Sequence, residues 1–206
     1  GIYYAEGSLR GKLCVSGARQ MLEYVEERQL WNDRCGKLLV PPTESSLSSL
    51  DVLLNRGRAN GVEIHKVTGQ EALDLEPRVN TKFGQALYVP VTSVVNPKEV
   101  AERVREEVVS RGGVIHYSTP AEALDARRGT ARTSTGSFEA GTVVNAAGLF
   151  ADQVAERAGL KTQYSFQPFK GKYWKHKNPD FTMRRLVYPV PDLSLPFLGV
   201  HTAHNQ

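Results

Sequence analysis

The amino-acid sequence predicts an α/β (α+β) fold, in which helices and short strands are mixed along 206 residues. Apolar residues recur at helical spacing near the N-terminus, and a helix with clear start and stop signals lies near the middle. Short apolar runs separated by turn residues follow that helix, as expected for a strand meander. A chain of this length can bury one good core or two small ones.

The predicted helices are marked by apolar periodicity or by capping residues. Asn96, Pro97 and Glu99 supply an N-cap, a first-turn proline and an acidic third residue, and Gly112 follows the end. This helix should turn Val100, Val104 and Val108 inward. The helices are predicted over Leu9–Gln29, after the N-caps Thr43 and Thr68, over Pro97–Arg111, and after Gly148.

Strands are predicted where short apolar runs end at glycine, proline or polar turns. The turns at Arg128-Gly129 and Gly136-Ser137 separate members of the predicted meander. The predicted strands are Gly36–Val40, Val62–Val67, Ala86–Val91, Val114–Tyr117, Ala121–Ala126, Thr130–Thr135, Thr142–Asn145, Phe166–Lys175 and Leu186–Val190.

Composition and charge exclude several classes of protein. The net charge is +4, but basic residues alternate with acidic ones, as in Glu102–Glu107, so a nucleic-acid partner is not indicated. No apolar window is long enough to cross a bilayer and no signal peptide is visible, so a cytoplasmic location, with peripheral membrane association left open, is expected. Cys14 and Cys35 lack the spacing of metal ligands and are interpreted as reduced, buried thiols; no metal is predicted.

The ends of the chain indicate a middle fragment of a longer protein. It opens at Gly1 without a methionine and stops at Gln206 just past a strand-like run, with no cap or tail at either end.

The segment Val143–Gly159 is interpreted as a strand, a tight turn and a helix. The small side chains of Ala146, Ala147 and Gly148 would let a ligand approach the backbone, and the start of the following helix favours an anion. The alternative is a packed crossover without a ligand, and the residues alone leave the two interpretations at even odds.

Six motifs in this order resemble the D-amino-acid-oxidase-like superfamily of FAD-dependent oxidoreductases, within it the L-2-hydroxyglutarate dehydrogenase/oxidase branch. They are GIYY (1–4), RCGKLLV (34–40), DLEP (74–77), NAAGLFAD (145–152), YPVPD (188–192) and PFLGVH (196–201). The resemblance implies FAD as cofactor, with Ala146, Ala147 and Gly148 at its pyrophosphate and Ala121 at its adenine. It also implies that residues 1–32 and 93–160 form part of the FAD-binding lobe, without its GxGxxG unit, and that residues 33–92 and 161–206 belong to the substrate-binding lobe.

Oxidising a 2-hydroxy acid requires a base for the hydroxyl proton and cations for the carboxylates. His201 is the candidate base, although a lone histidine after a strand is more often a satisfied polar residue. Lys170 and Lys172 would lie on opposite faces of a predicted strand, so only one of them can point inward. The resembling family has an arginine or a similar basic residue in this region, and the resemblance therefore implies Lys170 as the carboxylate anchor. Tyr188 and Tyr3, or its neighbour Tyr4, are candidate substrate contacts, although aromatic residues at such positions are more often core. Arg184-Arg185 is interpreted as a solvated turn.

The predicted function is therefore FAD-dependent oxidation of a 2-hydroxy acid, similar to L-2-hydroxyglutarate, to the 2-oxo acid. The alternatives are a related flavoenzyme acting on an amine or on glycerol 3-phosphate, and a non-catalytic α/β binding module. The isolated piece is expected to be inactive and to hold FAD poorly, because no glycine-rich nucleotide turn is present. The exact acid, the electron acceptor and the oligomeric state are left open.

Overall fold

A computed structural model describes residues 1–125, 127–161, 163–178, 181–192 and 199–203. The chain divides into two compact units, residues 1–107 with 178–206 and residues 108–177. Both combine helices with sheets, which confirms the predicted α/β fold. The predicted division into FAD-binding and substrate-binding lobes stays a prediction.

The helices begin and end close to the predicted residues. Ser8 caps the first helix, where its Oγ accepts from the Gly11 amide at 3.1 Å. Thr68 and Glu71 form the predicted capping box, with the Glu71 amide 3.2 Å from Thr68 Oγ1 and the Thr68 amide 2.7 Å from Glu71 Oε2. The helices are α1 (Leu9–Glu27), α2 (Leu47–Ala59), α3 (Gly69–Leu75), α4 (Pro97–Ser110) and α5 (Ala151–Arg157). None of the helices within the described ranges has the length and apolar character needed to cross a membrane.

The strands form three sheets. They are β1 (Asn32–Asp33), β2 (Lys37–Val40), β3 (His65–Thr68), β4 (Gln85–Val89), β5 (Val94–Val95), β6 (Ala121–Asp125), β7 (Thr130–Thr133), β8 (Gly136–Glu139) and β9 (Leu186–Pro189). The first unit contains a four-stranded sheet in the order β3-β4-β2-β9, in which only β2 and β9 run parallel, and the short β1-β5 pair. The second unit contains the antiparallel meander β6-β7-β8.

The central strand β2 is buried along its whole length, because both faces of the sheet are covered. Leu39 packs on one face with Ile2 and residues of α2, whereas Leu38 and Val40 pack on the other. Side chains alternate along a strand, so Lys37 projects to the same face as Leu39. A charged residue therefore starts an otherwise apolar buried strand.

Glu76, in the DLEP motif after α3, is a fully buried carboxylate. Its Oε1 accepts from the Arg78 amide at 3.0 Å, and its Oε2 accepts from the amides of Arg184 and Arg185 at 2.5 and 3.0 Å. The Arg185 side chain is half-buried and donates from Nη1 to the Cys35 carbonyl at 3.0 Å. The interpretation of Arg184-Arg185 as a solvated turn was therefore wrong for Arg185, since this segment is fastened to Glu76 at the start of β9.

Three predicted strands are absent from the described structure: Val114–Tyr117, Thr142–Asn145 and Phe166–Lys175 have no strand neighbour. Their apolar side chains are exposed, with Val144 79% accessible. Apolar β-branched residues suit a strand, but only a hydrogen-bonded neighbour makes one. The third strand of the meander is β8, which begins at the predicted turn residue Gly136.

The inward orientation predicted for the valines of α4 was wrong for Val104 and Val108, which are exposed, whereas Val100 is half-buried. No residue of α4 is fully buried. On α1, Val25 is buried but Leu13 and Met21 are exposed. The periodicity predicted the helices correctly, but the apolar stripes of these two helices lack a covering neighbour in the described part of the chain.

Candidate active site

Three of the residues predicted to act on substrate lie together in the first unit. Tyr3 and Tyr188 contact Lys37, a residue that was not among the sequence-based candidates, and His201 stacks on Tyr188. Tyr3 belongs to the N-terminal segment, Lys37 opens β2, and Tyr188 lies on the neighbouring strand β9. The parallel pairing of β2 with β9 places Tyr188 beside Leu39, on the same face of the sheet as Lys37.

Lys37 is a buried cation held by two phenol groups. Its side chain is 9% exposed, and Nζ donates to Tyr3 Oη at 3.3 Å. Nζ also lies 4.9 Å from the centre of the Tyr3 ring and 5.1 Å from that of Tyr188, within range of cation–π attraction. Within the described ranges, no carboxylate forms an ion pair with Lys37. Its charge is therefore only partly compensated.

Burial determines the protonation states of Lys37 and Tyr3. It lowers the pKa of the Lys37 ammonium from the ordinary 10.5 to about 8, a fall that the nearby Cys14 opposes. Burial, and to a smaller extent the neighbouring Tyr188, raises the pKa of the Tyr3 hydroxyl above its ordinary value. At neutral pH the pair is an ammonium next to a protonated phenol, and both can donate hydrogen bonds.

Removing the Lys37 charge is expected to stabilise the fold at neutral pH. The pKa is about 8 in the folded state and 10.5 ordinarily, so the unfolded state binds more protons between these values and stability rises with pH across that window. The buried charge costs about 3 kcal/mol below about pH 8. Lys37→Met should therefore be more stable than the unmodified protein by up to that amount.

Denaturant unfolding of both proteins measures this difference, and the excess stability should shrink by about half near pH 9.5. Both proteins also contain the other titratable groups near Lys37, namely Tyr3, Cys14 and Tyr188, as well as His201, which stacks on Tyr188. The titration of these groups therefore largely cancels when the two stabilities are compared. A Lys37→Met protein that is less stable at neutral pH would contradict this account of the burial.

His201 is positioned by its neighbour Thr202. Thr202 donates its amide to the Val187 carbonyl at 3.0 Å, and its Oγ1 accepts from the Val187 amide at 2.8 Å. The His201 ring is exposed and stacks on Tyr188, with centroids 4.2 Å apart and an interplanar angle of 23°. Nδ1 lies 3.0 Å from the Gly199 carbonyl. A proton on Nδ1 would satisfy that carbonyl and leave Nε2 as the acceptor that a base requires.

A cleft of about 830 Å³ opens beside Lys37. It is lined by α1, the N-terminal segment and the chain after β4, largely through apolar atoms, with contributions from Ile2, Tyr3, Cys14, Met21, Lys37 and Val91. Ser93 also lines the cleft, and its buried Oγ has no hydrogen-bond partner within the described structure. The cleft gives a small ligand access to the buried ammonium.

The other candidate residues lie in the second unit or outside the described residues. Lys170 is exposed in an irregular segment, so the argument from alternating strand positions does not apply to it, and its role stays a prediction. Residues 196–198 of the PFLGVH motif lie outside the described residues. Cys35 is buried as expected, but Cys14 is exposed, which corrects the prediction for that thiol. Within the described chain no cluster of side chains could hold a metal ion.

The turn at Ala146–Gly148 leaves room for a large group. The backbone of Gly148 has φ +55°, and a Cβ placed there would meet nothing within 4 Å. Asn145 holds the turn, since Nδ2 donates to the Ala151 carbonyl at 2.7 Å and Oδ1 accepts from the Ala147 amide at 3.3 Å. Because no described atom beyond its chain neighbours lies within 4 Å of a Cβ placed at Gly148, the turn has open space there in which a cofactor pyrophosphate would fit.

Ala121 begins the edge strand β6. Its carbonyl accepts a hydrogen bond from Arg157 Nη1 of α5 at 2.7 Å. The predicted adenine contact at Ala121 stays a prediction, and the engaged carbonyl would leave other backbone atoms of the strand to make it.

Comparison with known proteins shows which family the chain belongs to. The family profile of FAD dependent oxidoreductases matches residues 1–205. The L-2-hydroxyglutarate dehydrogenase of Escherichia coli K12 is 30% identical over 205 residues, and the mitochondrial enzyme of that name from Caenorhabditis elegans is 34% identical over 210. Each match covers 98% of this chain and 48% of the relative, so the chain spans about half the length of these curated relatives.

A similar fold occurs in the L-alpha-glycerophosphate oxidase of Mycoplasma pneumoniae, solved with FAD bound. The two share a TM-score of 0.71 at 19% identity, over 92% of this chain and 52% of that one. This likeness concerns the fold alone. Because the family profile extends over nearly every residue, the chain belongs to the FAD dependent oxidoreductase family, whose cofactor is FAD.

Proposed function

We propose that the protein containing this chain oxidises a 2-hydroxy acid of the L-2-hydroxyglutarate type to the corresponding 2-oxo acid. The observation that carries the proposal is the position of His201, stacked on Tyr188 in a cluster that also holds a cation and a second phenol. A base, hydroxyl donors and a positive charge are the groups that an acid bearing a hydroxyl requires. The names of the relatives that match over 98% of the chain support the same substrate class.

His201 is the base in this proposal. With Nδ1 directed to the Gly199 carbonyl, Nε2 takes the proton of the substrate hydroxyl as the adjacent carbon is oxidised. Bound FAD supplies the acceptor for the hydride that leaves C2. The hydroxyl proton goes to the imidazole and the two electrons go with the hydride, so the carbinol becomes a carbonyl.

The remaining predicted residues would bind FAD or orient the acid substrate. Ala146, Ala147 and Gly148 would lie against the pyrophosphate of FAD and Ala121 near its adenine. Tyr3 and Tyr188 would donate to the acid or wall the flavin, and Lys170 would contribute positive charge for a carboxylate. A positive charge and hydroxyl donors near the reacting carbon hold the substrate in one orientation.

Anaerobic mixing of the full-length, flavin-loaded protein that contains this chain with candidate substrates tests the proposal. L-2-hydroxyglutarate should bleach the flavin absorbance and yield one 2-oxo acid per flavin reduced. Glycine, L-proline and glycerol 3-phosphate should leave the absorbance unchanged. Bleaching by an amine or by glycerol 3-phosphate, but not by a 2-hydroxy acid, would overturn the proposed substrate class. A flavin that no compound in this panel reduces would also count against it.

A further inference from the structure

We propose that the Lys37 ammonium, together with the hydroxyl of Tyr3, binds a carboxylate of the acid substrate. This inference deepens the proposed oxidation of a 2-hydroxy acid and rests on it. It assigns substrate binding to a residue of β2, in the first unit, in addition to the role proposed for Lys170.

The charge of Lys37 lacks a carboxylate partner among the described residues. A lysine that is 9% exposed would ordinarily pair with a carboxylate, yet the contacts of Lys37 in the described structure are a phenol oxygen at 3.3 Å and two aromatic faces. Such contacts compensate a buried ammonium incompletely. The position therefore favours an anion, and an anion that arrives with the ligand can supply the missing partner.

Lys37 Nζ and the Tyr3 hydroxyl are two hydrogen-bond donors that lie side by side. Tyr3 Oη accepts from Lys37 Nζ, so the proton on that hydroxyl points to a different acceptor. Two donor atoms 3.3 Å apart can each serve one oxygen of a single carboxylate. The hydroxyl stays protonated because burial raises the pKa of Tyr3. Lys37 and Tyr3 thus form a two-point site for a planar anion.

Lys37 and Tyr3 both line the cleft of about 830 Å³, so a small acid can reach them. The ring of Tyr188 contacts Lys37 and also stacks on His201. Lys37 and His201 thus share one neighbour, which connects the proposed carboxylate site to the proposed base.

The opposing interpretation is a lysine that only supports the fold. Its removal would then destabilise the protein and would leave the affinity for a carboxylate unchanged in molecules that remain folded. A ligand-binding lysine gives the reverse result, with lost affinity in a protein that is at least as stable. The two roles are therefore separated by measuring stability and binding on the same variant.

The test uses the full-length, flavin-loaded protein that contains this chain, in four forms: unmodified, Lys37→Met, Lys37→Arg and Lys98→Met. Lys98 is an exposed lysine in the first turn of α4 and gives a matched control. Glutarate, a dicarboxylate that lacks the reacting hydroxyl, serves as probe in calorimetric titration. Lys37→Met should weaken glutarate binding about 100-fold, Lys37→Arg should restore part of it, and Lys98→Met should bind as the unmodified protein does.

Steady-state oxidation of L-2-hydroxyglutarate supplies the second readout. KM should rise about 100-fold in Lys37→Met, by more than kcat falls, because the charge is used mainly to bind substrate. Unchanged glutarate affinity and unchanged KM in a folded Lys37→Met protein would overturn the inference while leaving the proposed oxidation intact. Glutarate binding that depends on Lys37, in a protein that oxidises no 2-hydroxy acid, would instead overturn the proposed function and keep the anion site.

Discussion

Replacement of Glu76 with alanine is expected to lower the free energy of unfolding by about 3 to 5 kcal/mol. The carboxylate is fully buried and accepts from the amides of Arg78, Arg184 and Arg185. Alanine would leave these three donors without their acceptor and would create a cavity beside them. Denaturant unfolding followed by circular dichroism measures the loss.

Two further variants test whether the loss of stability comes from the hydrogen bonds of the Glu76 carboxylate. Glu76→Gln keeps the shape and one acceptor oxygen but places an amide nitrogen against backbone donors, so it should show a large part of the loss. Glu102→Ala, on the exposed surface of α4, should change stability by less than about 0.5 kcal/mol. Faster hydrogen exchange at the amides of Arg184 and Arg185 should accompany the Glu76 variants. A loss below about 1 kcal/mol for Glu76→Ala would show that these hydrogen bonds are not what fastens β9.

Replacement of His201 with glutamine is expected to reduce kcat for the 2-hydroxy acid by about 10² to 10⁴. Glutamine preserves much of the size of the side chain and can still stack on Tyr188, but it cannot take the hydroxyl proton. KM should change far less, because the carboxylate contacts stay in place. The rate of flavin reduction in stopped flow measures the chemical step directly.

The matched control is His65→Gln, on β3, where the imidazole is exposed and lies 3.1 Å from Glu63. This variant should reduce the flavin at the unmodified rate. If His201→Gln keeps kcat within about threefold of the unmodified value, the proton has another acceptor and His201 is not the base.

Local signals in the sequence were sufficient to predict the positions of the helices. The Thr68 capping box and the proline at the start of α4 involve residues within one turn, so their patterns predict the structure directly. The turn at Gly129 and the first two strands of the meander were likewise predicted from neighbouring residues.

Strand pairing and burial could not be predicted in the same way. Val114–Tyr117 and Phe166–Lys175 have strand-like composition, but a strand also requires a hydrogen-bonded neighbour, often one distant in sequence. The bond from Arg184 to Glu76 joins residues 108 positions apart, and no local pattern signals it. Val104 and Val108 of α4 have correct helical spacing, yet only the tertiary structure shows that they are exposed.

The candidate site was partly predictable. His201, Tyr188 and Tyr3 were selected from motifs and from family resemblance, and the structure brings them together. Lys37 was missed because a lysine at the start of a strand ordinarily extends to solvent. The sequence did carry one signal for the burial of Lys37. The lysine directly precedes the apolar run Leu38–Val40, and an uninterrupted apolar run is typical of a strand that is covered on both faces. Its phenol partners come from distant parts of the chain, so its burial is a tertiary property.

A crystal structure of the flavin-loaded protein with bound L-2-hydroxyglutarate tests the central claim most directly. We expect one carboxylate of the acid about 3 Å from Lys37 Nζ, with the Tyr3 hydroxyl on its other oxygen. The substrate hydroxyl should face Nε2 of His201. An acid bound away from the cluster of Tyr3, Lys37, Tyr188 and His201 would contradict the account.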